Sequence, residues 1–169
     1  MLIKQNNHSI ERTTLSRSLV LESNVSRPNQ SNRETSIIVI FPLAAWHRQV
    51  KTRSPSGLDD LLADDAVFYS PVVHTPQRGK KNTAAYLSAA FDVLSNDTFR
   101  YVREIVGSRD AVLEFEVEID GITVNGVDII VWNDEGKIVE FKVMIRPLKA
   151  INLIHQQMVE ILKSRSAIE

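Results

Sequence analysis

With 169 residues, of which 43% are apolar and 24% charged, the chain has the composition of a soluble globular protein and the length of one domain with a core of ordinary size. A formal net charge of −1 excludes the broad electrostatic attraction that nucleic acid and membrane surfaces exert on basic proteins, so neither is expected as a partner. The lack of cysteine excludes a disulfide frame, a thiolate nucleophile and a cysteine zinc site, and it fits a reducing, cytoplasmic compartment.

Residues 1–35 contain no aromatic side chain and are crowded with Ser, Asn, Gln and Arg. Such a stretch buries too little apolar surface to offset its ordering entropy, which predicts a disordered extension ahead of one domain over 36–164. Its arginines and serines are those of a transit peptide, but Glu11, Glu22 and Glu34 oppose that reading. The apolar run SIIVIFPLAAW at 36–46 is too short to span a bilayer. From Phe41 to about Thr52 it predicts a helix with Pro42 in the first turn, where a missing N–H costs nothing. In SPSGLDDLLADDA, Ser56 is expected to cap a short helix with Asp59 as its capping-box acid.

Ala66 to Val73 reads as a strand, and Gly79 precedes a helix in which Tyr86, Leu87, Ala90, Phe91 and Leu94 recur at helical spacing. From Phe99 the pattern changes to period two. TFRYVREIV, AVLEFEVEI, ITVNGVDIIVW and KIVEFKVMI are four strand candidates, separated by GSRD, DG and NDEG, and turns so short make neighbours antiparallel. Glu114, Glu116 and Glu118 alternate with Leu113, Phe115 and Val117, which gives an apolar inner face and a charged outer one. A final helix carries Leu148, Ile151, Ile154, His155, Met158, Ile161 and Leu162 on one side. The pattern as a whole is α+β, with helices packed on one face of a sheet.

Asp128 is the residue most suggestive of function. Strand alternation puts Val127, Ile129 and Val131 on one face and Asp128, Ile130 and Trp132 on the other, and both faces read as buried. A carboxyl group there needs a partner, a proton or a ligand. Desolvation among Ile130, Trp132, Phe115 and Val117 favours the neutral acid, able to donate a hydrogen bond; the competing reading is a structural acid bonded to Trp46, Tyr101 or Tyr69. Tyr86 and Tyr101 have the parity to point inward. His8, His47, His74 and His155 are too far apart in sequence for a metal motif such as HExxH, and neither metal nor cofactor is expected.

The segments LDDLLADDAVFYSPVV and GVDIIVWNDEGKIVEFKV, with Gly79 before a helix between them, resemble the nuclear transport factor two-like superfamily, in particular its SnoaL-like branch of polyketide cyclases and ketosteroid isomerases. The resemblance spans roughly residues 41–160. It implies a cone-shaped α+β barrel: a curved, mostly antiparallel sheet wrapped around three helices, here followed by a C-terminal helix. It also implies an apolar pocket for a small molecule and a homodimer formed through the outer sheet face. Laid on a ketosteroid isomerase, the chain carries Ser70 at the place of the general-base aspartate, Trp46 at that of the hydrogen-bonding tyrosine, and Asp128 at that of the protonated oxyanion-hole acid. A lone serine is not a general base, so steroid isomerisation is not expected.

The resemblance also sets His74, in the loop VVHTPQRGK, near the mouth of the cone as an acid–base candidate beside Asp128. Trp46, Tyr69, Ser70, Tyr86, Tyr101, Phe115 and Trp132 are the expected ligand-binding residues. Three functions stay open: an acid–base isomerase, cyclase or dehydratase acting on an apolar carbonyl compound, a non-catalytic pocket for such a ligand, and a dimeric interaction module.

Overall fold

The computed structural model describes residues 42–166; the predicted extension over 1–35 lies outside them. Among the described residues the first helix, α1, covers 42–52, with Pro42 in its first turn as the sequence predicts; the predicted first residue, Phe41, lies outside the described residues. Leu43, Trp46 and Val50, spaced three and four apart, turn one side of it to the core. The chain then makes a 3₁₀ turn over Pro55–Gly57 and a single helical turn, α2, over Leu58–Leu61. The cap differs from expectation. Ser54, not Ser56, supplies the capping oxygen, accepting from the Ser56 N–H, while α2 starts after Gly57 with no side-chain cap. Pro55 between the two serines starts the turn one step early, at the first position, where proline fits.

Strand β1 runs Leu62–Tyr69, four residues ahead of the predicted Ala66–Val73 at both ends. It stops at Tyr69 because the Ser70 Oγ accepts from the backbone N–H groups of Val72 and Val73 at 3.1 and 3.3 Å, turning the chain away from the sheet. A short β2, Gln77–Arg78, pairs back on β1, and α3 follows over Lys80–Leu94. Thr83, fully buried, donates from its hydroxyl to the Ala66 carbonyl at 3.1 Å and so pins the first turn of α3 to β1.

The four predicted strands are present as β3 (Arg100–Val106), β4 (Asp110–Ile119), β5 (Ile122–Trp132) and β6 (Ile138–Arg146), and α4 closes the fold over Leu148–Ser166. The sheet order is β2-β1-β6-β5-β4-β3, antiparallel throughout except for the parallel β1–β6 pair. Register shifts in β1–β6, β3–β4 and β5–β6 mark bulges, which bend a sheet. The sheet curves and stays open, with α1 and α3 against its concave face and α4 against α3 and β6. At β5 one glycine is needed for close approach: a Cβ on Gly126 would stand 2.2 Å from the Phe115 ring, which fills that place on the opposite strand. The other expectation for β5 is corrected. Val127, Ile129 and Val131 are only half-buried, so one face of the strand is core and the other is partly open.

Candidate functional site

Asp128 lies on the concave face of β5, in the same alternating row as Val124, Gly126, Ile130 and Trp132, and is only 6% exposed. Its Oδ2 accepts from the Tyr101 hydroxyl at 2.9 Å. The Tyr101 oxygen in turn accepts from the Trp46 indole N–H, also at 2.9 Å. Three elements thus contribute to one chain of hydrogen bonds: Trp46 from α1, Tyr101 from the start of β3, and Asp128 from the middle of β5. The tyrosine ring is fixed by edge contacts with Phe99 at 5.3 Å and His47 at 5.5 Å. His47 is itself tied to Glu104, with its Nε2 3.3 Å from the carboxylate.

Burial pushes the Asp128 carboxyl from its ordinary 3.8 up to about 7, while the bond from Tyr101, which favours the carboxylate, pulls the other way. Burial first, and the adjacent Asp128 second, raise the Tyr101 phenol well above its ordinary range, so it stays a neutral donor. The pair therefore presents one hydroxyl that keeps its proton and one acid that exchanges its proton near neutrality, the range in which a group serves as acid or base.

This relay opens onto an apolar cleft. Beside Trp46, Tyr101 and Asp128, its walls are hydrocarbon and aromatic side chains of α3 and β6, among them Phe91, Phe141 and Val143, and its cavity volume is about 40 Å³. A second cleft, of about 90 Å³, lies between α3, β6, α4 and the loop after β1. Ala90, Leu94 and Val143 line both. An apolar concavity with a few convergent polar groups is the usual form of a small-molecule site.

Residues 43–141 match the sequence profile of the SnoaL-like domain. The chain belongs to that family. A steroid delta-isomerase from Pseudomonas aeruginosa is 35% identical to this SnoaL-like domain, with a TM-score of 0.73 over 77% of the present chain and 95% of the isomerase. An uncharacterized bacterial protein with a cystatin-like fold from Silicibacter pomeroyi is 30% identical, with a TM-score of 0.64 over 75% of this chain and 93% of its own. An NTF2-like protein of unknown function from Mesorhizobium loti, at 20% identity and a TM-score of 0.56 over 72% of this chain and 98% of its own, shares the fold. No curated protein sequence matches the chain.

Within the SnoaL-like domain the residues singled out by sequence separate into groups. Trp46, Tyr101 and Asp128 come together at the first cleft, with the indole N–H engaged by Tyr101 and so not directed at a ligand. Ser70 and Tyr86 line the second cleft, and Ser70 is occupied by its two backbone bonds. Phe115 and Trp132 are buried in the core beside the site and line neither cleft. Tyr69 lies away from both, its ring under the Lys142 ammonium at 4.7 Å. His74 is exposed in the loop after β1 and is likewise outside both linings.

Sequence reasoning passed over His47 and Glu104, which brace Tyr101, and the role of Ala90 and Leu94 as a shared wall. The first pair are 57 positions apart and meet only through the β3 register. Ala90 and Leu94 were visible as one helical stripe, four residues apart. Among the described residues no group of three or more His, Asp or Glu stands close enough to hold a metal ion. No described helix is long and apolar enough to cross a membrane.

Proposed function

We propose that this SnoaL-like domain binds a small, apolar, carbonyl-containing molecule in the first cleft, with the ligand oxygen accepting from Asp128, which Tyr101 holds in place. The observation that carries the reading is the Trp46–Tyr101–Asp128 relay, whose acid end is buried yet borders the cleft. Purely structural burial of a carboxyl group would favour full enclosure with every oxygen bonded inside the core. A neutral Asp128 donates one hydrogen bond to a carbonyl, and a low-dielectric cleft strengthens that bond.

Kinship with a steroid delta-isomerase at 35% identity supports a carbonyl ligand, whereas the composition of the clefts supports binding over enolisation by a separate base. Ser70 holds a turn in place of offering a proton acceptor, and His155, the one histidine in either lining, lies at the exposed rim of the second cleft, away from Asp128. Any acid–base isomerase, cyclase or dehydratase chemistry in this site runs through Asp128 alone. The test is titration of a short methyl ketone, at a pH of about 6 where Asp128 carries its proton, into the wild type, into Asp128→Leu, which removes the donor, and into Tyr101→Phe, which removes the bond that orients it. Binding weakened about tenfold or more by either change is expected, since a hydrogen bond to a charged or strongly polarised group contributes about 1.5–3 kcal/mol.

We infer further that the domain pairs with a second copy through its outer sheet face. Ile105 and Met144 are 62% and 53% exposed there. The strand register sets Ile105 beside Val112 and Ile129, and Val127 beside Met144, so the exposed side chains form one apolar centre. The pairs Arg100–Glu116 and Arg103–Glu114 flank it with both signs of charge, the pattern that a self-complementary two-fold contact uses. Light scattering at micromolar concentration is expected to give twice the 19.1 kDa chain mass; a stable monomer contradicts the pairing.

A further inference from the structure

The bulge between Tyr101 and Arg103 turns both Tyr101 and Glu104, three positions apart on β3, to the concave face. Tyr101 pairs with Phe115 and Glu104 with Leu113, two fully buried residues of that face. Helix α1 meets them with consecutive residues. Trp46 donates to the Tyr101 oxygen at 2.9 Å, and His47 has its Nε2 3.3 Å from Glu104 and its ring 5.5 Å from that of Tyr101. A second carboxylate thus stands beside the relay, with an imidazole touching both it and the tyrosine. The other charges on these elements are turned elsewhere: Arg100 and Arg103 pair with Glu116 and Glu114 on the outer face, Arg53 pairs with Asp97, and Arg48 and Lys51 are exposed on α1. The cleft walls from α3 and β6 carry no charge.

The Tyr101 hydroxyl transmits the field of Glu104 in one direction. Its oxygen accepts the Trp46 N–H, and an indole offers no acceptor in return, so its single proton goes to Asp128 Oδ2. A negative charge near a phenol makes it a poorer donor, and a poorer donor stabilises a carboxylate less. Behind burial and Asp128, and against the bond from Trp46, the Glu104 charge helps to hold the Tyr101 phenol above its ordinary range.

We propose that His47 and Glu104 are positioning residues of the site, a half-buried charge pair that sets how strongly the Tyr101 hydroxyl donates to Asp128 and so how readily Asp128 releases its proton. Glu104 opposes that release and His47 offsets Glu104. A protonated imidazole balances the carboxylate, and a neutral one with its proton on Nε2 still donates to it. The consequence for a ligand rests on the binding role given above to Asp128, whereas the pair itself acts in the free protein.

The experiment follows the Asp128 carboxyl carbon by NMR in the full, ligand-free chain labelled at aspartate, from a pH of about 4 to about 9. His47→Phe keeps an aromatic ring against Tyr101 and removes the partner of Glu104, and it is expected to raise the Asp128 midpoint by about half a pH unit. Glu104→Gln keeps a hydrogen-bonding partner for His47 and removes the charge, and it is expected to lower the midpoint by about the same amount. The two changes together are expected to bring the midpoint back close to that of wild type. Both side chains are about one-third exposed, at 35% and 37%, so neither change empties the core. A merely structural brace does not give opposite signs, because loosening Tyr101 from either side weakens the same bond to Asp128. Shifts of the same sign, or an unmoved midpoint in either single variant, overturn the charge pair. No ketone enters these measurements, so their failure leaves the proposed function standing, and a ketone that does not bind leaves the charge pair standing.

Discussion

The site has two ends built by different physics. At the inner end Trp46, Tyr101 and Asp128 are held by the core: each sits on a helix or strand and each bonds the next at 2.9 Å. At the outer end Ser70 sits on the loop between β1 and β2 and bonds only local backbone, and His74 of the same loop faces solvent outside both clefts. Side chains placed on rigid elements hold a fixed geometry for chemistry, whereas loop side chains shape access. The contrast teaches why an acid can persist in the pocket where a base is missing: the acid is part of the packed core, and the loop position is answerable only to its turn.

Substitutions should separate the two ends. Trp46→Ala removes a side chain only 3% exposed, together with its contact to Phe141 at 4.8 Å and its bond to Tyr101. It should cost about 3–5 kcal/mol in denaturant unfolding. A loss under about 1 kcal/mol would show that the inner end is not core-built.

The pH dependence of stability should come from the inner end as well. Asp128 keeps its proton up to about pH 7 in the fold against 3.8 ordinarily. Between those values the folded state holds more proton than the unfolded chain, so this group's contribution is full at lower pH and is lost as the pH rises toward 7. The decline is about 1.4 kcal/mol per pH unit across the window. Asp128→Asn should remove that slope, and an unchanged slope would mean that another group sets it.

Gly126→Ala should cost about 1–3 kcal/mol, because the new methyl must displace the fully buried Phe115 ring. The measurement is its melting temperature beside that of Gly121→Ala, which meets nothing within 4 Å but carries a positive φ of 73°. At the outer end the effects shrink. Ser70→Ala should lose about 0.5–2 kcal/mol from the turn, as for a lost cap, and His74→Ala should lie within about 0.5 kcal/mol of wild type.

How far the sequence disclosed this arrangement varies with the kind of contact involved. The strict alternation of β4 and β5 placed Asp128 inward, and a period-two pattern needs no knowledge of distant residues. The limits of β1 were less legible because Asp64 and Asp65 are adjacent and both exposed, where the register against β6 shifts and alternation fails. Tyr101 was one of three partners that sequence offered for Asp128. The choice depends on the bulge between Tyr101 and Arg103, which keeps Tyr101 inward and turns the following residues over, and a one-residue bulge leaves no period of its own. The bracing pair His47 and Glu104 and the second cleft arise from helix placement, which no local pattern encodes.

The central claim is that Asp128, held by Tyr101, donates to a ligand carbonyl inside the cleft. Its most direct test is the infrared carbonyl stretch of a bound, isotopically labelled methyl ketone, compared between wild type and Asp128→Leu at a pH of about 6, where Asp128 carries its proton. A stretch shifted to lower frequency in wild type, and returned toward its value in a hydrocarbon solvent by Asp128→Leu, is the result predicted here. An identical stretch in the two proteins would contradict the claim and leave Asp128 a structural acid.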